Sequence, residues 1–280
     1  MKRLLLALLV LAGCAGQLAA DEAPMNMPVP AQAVTVPGAE GTPLRALLFV
    51  PASPTRPPVV ALHSCSGIGS AQQPITLAPH QRDWAARLVA AGHPVVFPDS
   101  FGSRGLGPAC GVPNFPAGPV GVRRFDALEA ARWARAQPWA RGEGVVLIGW
   151  SHGGTTTLAA WNSAPPGLVR AAVALYPGCG RGSGPPVPAV QGTAPLLMLL
   201  GQLDDWTPAA PCEQVATLAP RLITRVTFPG AHHSFDGLSG GIRQRHLPNG
   251  NTVSLGPDPA ARTESRRLVA EFLQEHAGPP

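Results

Sequence analysis

Apolar residues along this chain fall into short, mostly unbroken runs set apart by longer stretches with helical spacing. Runs at residues 59–62, 95–97, 145–148, 171–175 and 196–200 carry no polar residue, and a last run at 222–228 is interrupted by Thr224, Arg225 and Thr227. Between and after them the pattern predicts helices over 82–91, 122–136, 152–162, 209–218 and 260–276. Upstream, residues 33–36 and 45–50, separated by Pro37-Gly38 and Gly41, read as an antiparallel pair. A strand that is apolar at every position is buried on both faces. Such strands alternating with helices imply a mostly parallel α/β sheet in one domain. Its chemistry is expected at the carboxyl ends of the strands.

The first residues obey a different pattern. Lys2 and Arg3 precede an apolar stretch at 4–11, too short to cross a bilayer as a helix, and small residues follow. Leu11-Ala12-Gly13-Cys14 resembles a bacterial lipobox, which implies a signal segment over 1–14 and lipidation of Cys14. Ala15 after that cysteine favours the outer membrane by the same resemblance. The alternative is ordinary cleavage near Ala19-Ala20, where Leu18 fits poorly; the product would be a soluble periplasmic protein. Residues 15–31, rich in proline and methionine toward their end, are expected to form a tether to the domain at 32–280.

Composition narrows the partners. Charged residues make up 13% of the 280 and hydrophobic ones 45%, which suits a folded core. The 32 glycines and 34 prolines then indicate many turns. Apart from Lys2 every basic residue is arginine, the net charge of +5 is scattered, and no basic run exceeds two residues. That excludes a nucleic-acid surface and leaves the N-terminal lipid as the expected membrane attachment. Beyond Cys14 stand Cys65, Cys110, Cys179 and Cys212, with no CxxC arm for a metal. In an exported chain they are expected to be disulfides, for which three pairings exist.

The run at 145–148 leads into Gly149-Trp150-Ser151-His152-Gly153, followed by a helical pattern. Strand, sharp turn and helix around G-x-S-x-G is the setting of a nucleophile elbow, which lifts a serine hydroxyl above the sheet. A second match, Gly237-Leu238-Ser239-Gly240-Gly241, has no strand before it and reads as loop. Ser151 needs a base, and the base needs a carboxylate to orient it. Asp204 and Asp205 directly follow the run at 196–200; Asp204 is preferred as the acid, with Asp205 open as the alternative. His232 and His233 follow the last run, and His233 is preferred as the base. His80, His93, His246 and His276 read as surface residues.

Taken in order, His63-Ser64-Cys65-Ser66-Gly67, Pro98-Asp99-Ser100-Phe101-Gly102-Ser103-Arg104-Gly105, the elbow, Gly201-Gln202-Leu203-Asp204 and His233-Ser234-Phe235 resemble the dienelactone hydrolases, a family of α/β-hydrolases. The resemblance covers about residues 33–276. It implies the α/β-hydrolase fold without a large cap, and Ser151, Asp204 and His233 as nucleophile, acid and base. The backbone N–H groups of Cys65 and His152 would form the oxyanion hole, and Arg104 would stand near a substrate-binding arginine. No cofactor or metal is implied. Three departures matter: Ser151 replaces the family's cysteine, Ser64 replaces a glutamate beside the oxyanion loop, and Asp236-Gly237 replace a second arginine. These point to a serine hydrolase of small-molecule carboxylic esters or lactones with a shallow, exposed site. An oligopeptidase, a polyester or cutin hydrolase and a silent binding module stand as alternatives. Strand-end loops of such a sheet meet at one edge, which pairs Cys65 with Cys110 and Cys179 with Cys212.

Overall fold

A computed structural model describes residues 23–180 and 190–278. The expected signal segment, Cys14 and the first part of the expected tether lie outside the described residues. The main sheet is built from β1 (Gln32–Pro37), β2 (Pro43–Phe49), β3 (Val59–Leu62), β4 (Val95–Pro98), β5 (Val145–Trp150), β6 (Val169–Leu175), β7 (Leu196–Gly201) and β8 (Ile223–Phe228). Its spatial order is β1-β2-β4-β3-β5-β6-β7-β8, antiparallel at the β1/β2 and β2/β4 pairs and parallel from β4 onward. Helices α1 (Pro79–Ala90), α2 (Val122–Arg135), α3 (His152–Ser163), α4 (Ala209–Thr217) and α5 (Pro259–His276) cover it.

Burial on both faces follows from the strand sequences. Along β5, Val145 and Leu147 pack with Ala127, Ala131, Leu158 and Trp161 of α2 and α3. The alternate residues Val146, Ile148 and Trp150 pack on the other face, in the core shared with Trp84 and Leu88 of α1 and Phe272 of α5. Each such fully buried aliphatic side chain stabilises the fold by about 1.5–3 kcal/mol. α1 starts at Pro79, three residues ahead of the predicted start, because proline suits the first helical position and the Gln81 side chain accepts from the Ala78 N–H.

Three local features differ from the sequence pattern or add to it. The described part of the expected tether, from residue 23, lies against the domain: the Met25 N–H donates to Asp83 Oδ1 at 2.7 Å, Arg87 Nη2 donates to the Ala23 carbonyl at 2.7 Å, and Met27 and Val29 pack against the core. His93 is wholly buried rather than at the surface, its Nδ1 2.7 Å from the Pro57 carbonyl. Finally, β9 (Arg243–His246) and β10 (Thr252–Leu255) form an antiparallel hairpin outside the main sheet, in a stretch that read as loop. The Gly256 N–H donates to the His233 carbonyl at 2.9 Å and the Ser254 N–H to Asp205 Oδ1 at 2.8 Å. The hairpin is therefore bolted to the loops after β7 and β8.

Candidate active site

β5 ends in the elbow, and Ser151 takes φ 55° and ψ −117°, a left-handed conformation that a non-glycine residue adopts only under constraint. Its N–H donates to the Leu175 carbonyl at 3.0 Å, which ties the turn to the end of β6. The flanking glycines make room. A Cβ on Gly153 would stand 1.9 Å from the Leu62 carbonyl oxygen, and one on Gly149 would stand 2.2 Å from the Gly153 oxygen. The start of α3 thus rests directly on the strand end that leads into His63-Ser64-Cys65.

The loops after β7 and β8 bring the other two residues to Ser151. His233 Nε2 lies 2.9 Å from Ser151 Oγ, and His233 Nδ1 lies 2.7 Å from Asp204 Oδ2. Asp204 is fixed in turn: Oδ1 accepts from the N–H groups of Trp206 and Thr207, and Oδ2 from the Thr207 hydroxyl. Of the two neighbouring aspartates, Asp204 faces the imidazole and Asp205 faces the hairpin. His232 does not share this arrangement.

Residues that sequence reasoning passed over clamp the imidazole. Tyr176 and Trp206 approach the His233 ring at centroid distances of 4.8 Å each. The Tyr176 hydroxyl donates to Asp236 Oδ1 at 2.7 Å, and Trp84 Nε1 donates to Asp236 Oδ2 at 2.8 Å. Burial and the adjacent Asp236 carboxylate push the Tyr176 phenol well above its ordinary pKa, so it stays a donor. Tyr176 is the chain's sole tyrosine, which was the one available signal.

At the candidate oxyanion hole, the Cys65 N–H has no acceptor among the described residues. The His152 N–H opens α3, where no intrahelical acceptor exists. Arg104 does something other than the resemblance implied. Its two terminal nitrogens hold both oxygens of Asp126 at 2.8 and 2.7 Å, and Nη1 also reaches the Ser100 carbonyl. Being spent on that buried pair, it does not line the cleft.

The cleft beside Ser151 measures about 1040 Å³. One wall comes from Val112, Phe115 and Val120, another from the hairpin with Leu247, Asn249 and Val253, and Trp206 and Pro211 complete it. Within it Ser151 is 6% exposed and His233 1%. Disulfides Cys65–Cys110 and Cys179–Cys212 close two loops, and Cys65, Cys110 and Cys179 border the cleft. Among the described residues no cluster of His, Cys, Asp or Glu stands ready for a metal ion.

Known proteins share this architecture. A Klebsiella pneumoniae protein assigned to the dienelactone hydrolases superposes with a TM-score of 0.64 at 21% identity, covering 88% of this chain and 99% of its own. A puromycin-hydrolysing peptidase of Mycobacterium tuberculosis gives 0.63 at 20% identity, over 90% of this chain but 40% of its own. Dipeptidyl peptidase 4 of Porphyromonas gingivalis gives 0.62 at 18%, over 88% and 36%. At these identities the likeness shows a shared fold, the α/β-hydrolase fold. The family model for dienelactone hydrolases matches residues 44–277, and with that match the chain belongs to the dienelactone hydrolase family of hydrolases.

Proposed function

We propose that this hydrolase cleaves uncharged carboxylic esters through an acyl-enzyme on Ser151. The observation that carries the reading is the unbroken line Asp204–His233–Ser151, with contacts of 2.7 and 2.9 Å. His233 takes the Ser151 proton as Oγ attacks the ester carbonyl. The N–H groups of Cys65 and His152 receive the oxyanion; one such donor lowers the barrier by about 3 kcal/mol. His233 then returns the proton to the leaving alkoxide. Water, activated by the same imidazole, releases the acid and restores Ser151. Asp204 holds the imidazole tautomer and stabilises its cation.

Uncharged esters are favoured over anionic lactones because, among the described residues, no arginine or lysine lines the cleft, and Arg104 is engaged elsewhere. Peptidase activity is the second reading, prompted by the structural neighbours, but this chain spans only about two-fifths of those peptidases. The deciding experiment is a rate profile on p-nitrophenyl esters of increasing chain length beside matched p-nitroanilides. It is repeated after a serine-directed organophosphonate. Ester turnover that the phosphonate abolishes, with Ser151 labelled, is expected. No ester hydrolysis and an unlabelled Ser151 would refute the reading.

Export belongs to the same proposal. Two disulfides suit an oxidising compartment, and the N-terminal pattern suits a periplasm-facing lipoprotein anchored through Cys14. No helix among the described residues is long and apolar enough to cross a membrane.

A further inference from the structure

The side chain that follows the nucleophile is held with unusual care. Arg123, wholly buried on α2, directs Nη1 to His152 Nδ1 at 2.6 Å and Nη2 to the His63 carbonyl at 2.8 Å. The Phe101 ring lies 4.9 Å under its guanidinium and meets the His152 ring edge-on at 5.6 Å. A guanidinium N–H only donates, so His152 Nδ1 must accept, and the neutral ring then carries its hydrogen on Nε2. Burial and the Arg123 charge hold the imidazole neutral, with its pKa lowered to about 2. Arg123 itself donates to no carboxylate among the described residues. The ring is half-buried, it lines the cleft, and Nε2 is neither bonded within the described residues nor sealed from solvent.

We propose that the His152 side chain is a specificity residue. Its Nε2–H, fixed by Arg123, donates to an uncharged oxygen acceptor on the group flanking the scissile ester, such as an ether or second carbonyl oxygen. This deepens the esterase reading and rests on it. Val112, Val120 and Phe115 border the same cleft, beside the polar Asn114 and Thr155. A donor in such surroundings loses its water when substrate seats, and a site built that way rejects a carbon isostere that leaves the donor unpaired. Arg123 acts through His152 and is a positioning residue.

The test compares kcat/KM for ester pairs differing by one atom, an ether oxygen against a methylene. On the acyl side these are p-nitrophenyl methoxyacetate, 3-methoxypropanoate and 4-methoxybutanoate against butanoate, pentanoate and hexanoate. On the alcohol side the pair is 2-methoxyethyl against butyl butanoate. Each oxygen-to-carbon ratio is measured in wild type, His152→Phe and His152→Gln, so that effects common to both esters cancel. For at least one pair the wild-type ratio should exceed that of His152→Phe by about tenfold, and His152→Gln, which keeps a terminal N–H, should restore part of it. Ratios within twofold of one another in all three proteins, with both esters hydrolysed, would overturn this inference and leave the esterase reading standing. Hydrolysis of neither ester would overturn both. Should His152→Phe not fold, nitrogen NMR of wild-type protein at pH 7 decides: the Nε2–H tautomer of His152 is expected, and an Nδ1–H or doubly protonated ring would refute the proposal.

Discussion

Neither glycine of the elbow takes a positive φ; Ser151 carries the left-handed conformation itself. The glycines serve close approach, and this sets a sharp expectation. Gly153→Ala would drive a methyl into the Leu62 carbonyl and should destabilise the fold by about 3 kcal/mol or more, with loss of turnover. An unchanged urea midpoint would contradict it. At the triad, Ser151→Ala and His233→Ala should each cut turnover by orders of magnitude, whereas Ser239→Ala and His232→Ala should cost little. Equal losses within either pair would reassign the nucleophile or the base. A third expectation concerns acid. Burial lowers the His93 pKa to about 4 and holds His63 well below its ordinary value. Below about pH 6.5 the unfolded chain protonates these rings while the folded chain resists, so stability is lost as pH falls. For His93 alone the loss reaches about 3 kcal/mol by pH 4. Urea melts from pH 7 to 4 should show this slope, and His93→Asn should flatten it. The burial of His93 was not legible in the sequence, because one polar residue between Gly92 and Pro94 looks the same in a surface turn. The Arg104–Asp126 pair was hidden for a related reason: Asp126 lies 22 positions away, on a helix face that spacing alone does not aim.

The central strands β3–β7 were plain in the sequence because burial on both faces leaves each an apolar run. The β9–β10 hairpin was hidden by the converse logic. Its first strand reads Arg243-Gln244-Arg245-His246 and is largely exposed, so no apolar alternation marks it. It owes its place to the Asp205 carboxylate and the His233 carbonyl instead. The two adjacent aspartates should therefore separate kinetically. Asp204→Ala should lower kcat by orders of magnitude, while Asp205→Ala should loosen the hairpin wall and raise KM more than it lowers kcat. A collapse of kcat in Asp205→Ala, with Asp204→Ala mild, would exchange their assignments.

At the scale of the whole molecule, the sheet order and the meeting of strand-end loops at one edge made Ser151, Asp204, His233 and all four cysteines legible together, since one topology brings them to one place. What the sequence did not reveal was the lining of the cleft, which draws together residues as far apart as Val112 and Val253. Both disulfides brace that cleft, closing loops of 45 and 33 residues, and each is worth about 4 kcal/mol in the chain-entropy model. Strong reductant should lower both the melting temperature and the esterase rate, although no thiol joins the proposed chemistry. Full activity with four alkylated cysteines would contradict this. The docking of Ala23 and Met25 has a further consequence if Cys14 bears a lipid. Only residues 15–22 then lie between the anchor and Ala23, whose carbonyl Arg87 holds, a leash of roughly 30 Å even when fully extended. The enzyme would patrol a thin shell above the bilayer, and esters displayed within that shell would be met at high effective concentration. Lengthening the leash by thirty Gly/Ser residues should extend attack to esters tethered farther out while leaving turnover of a dissolved ester unchanged.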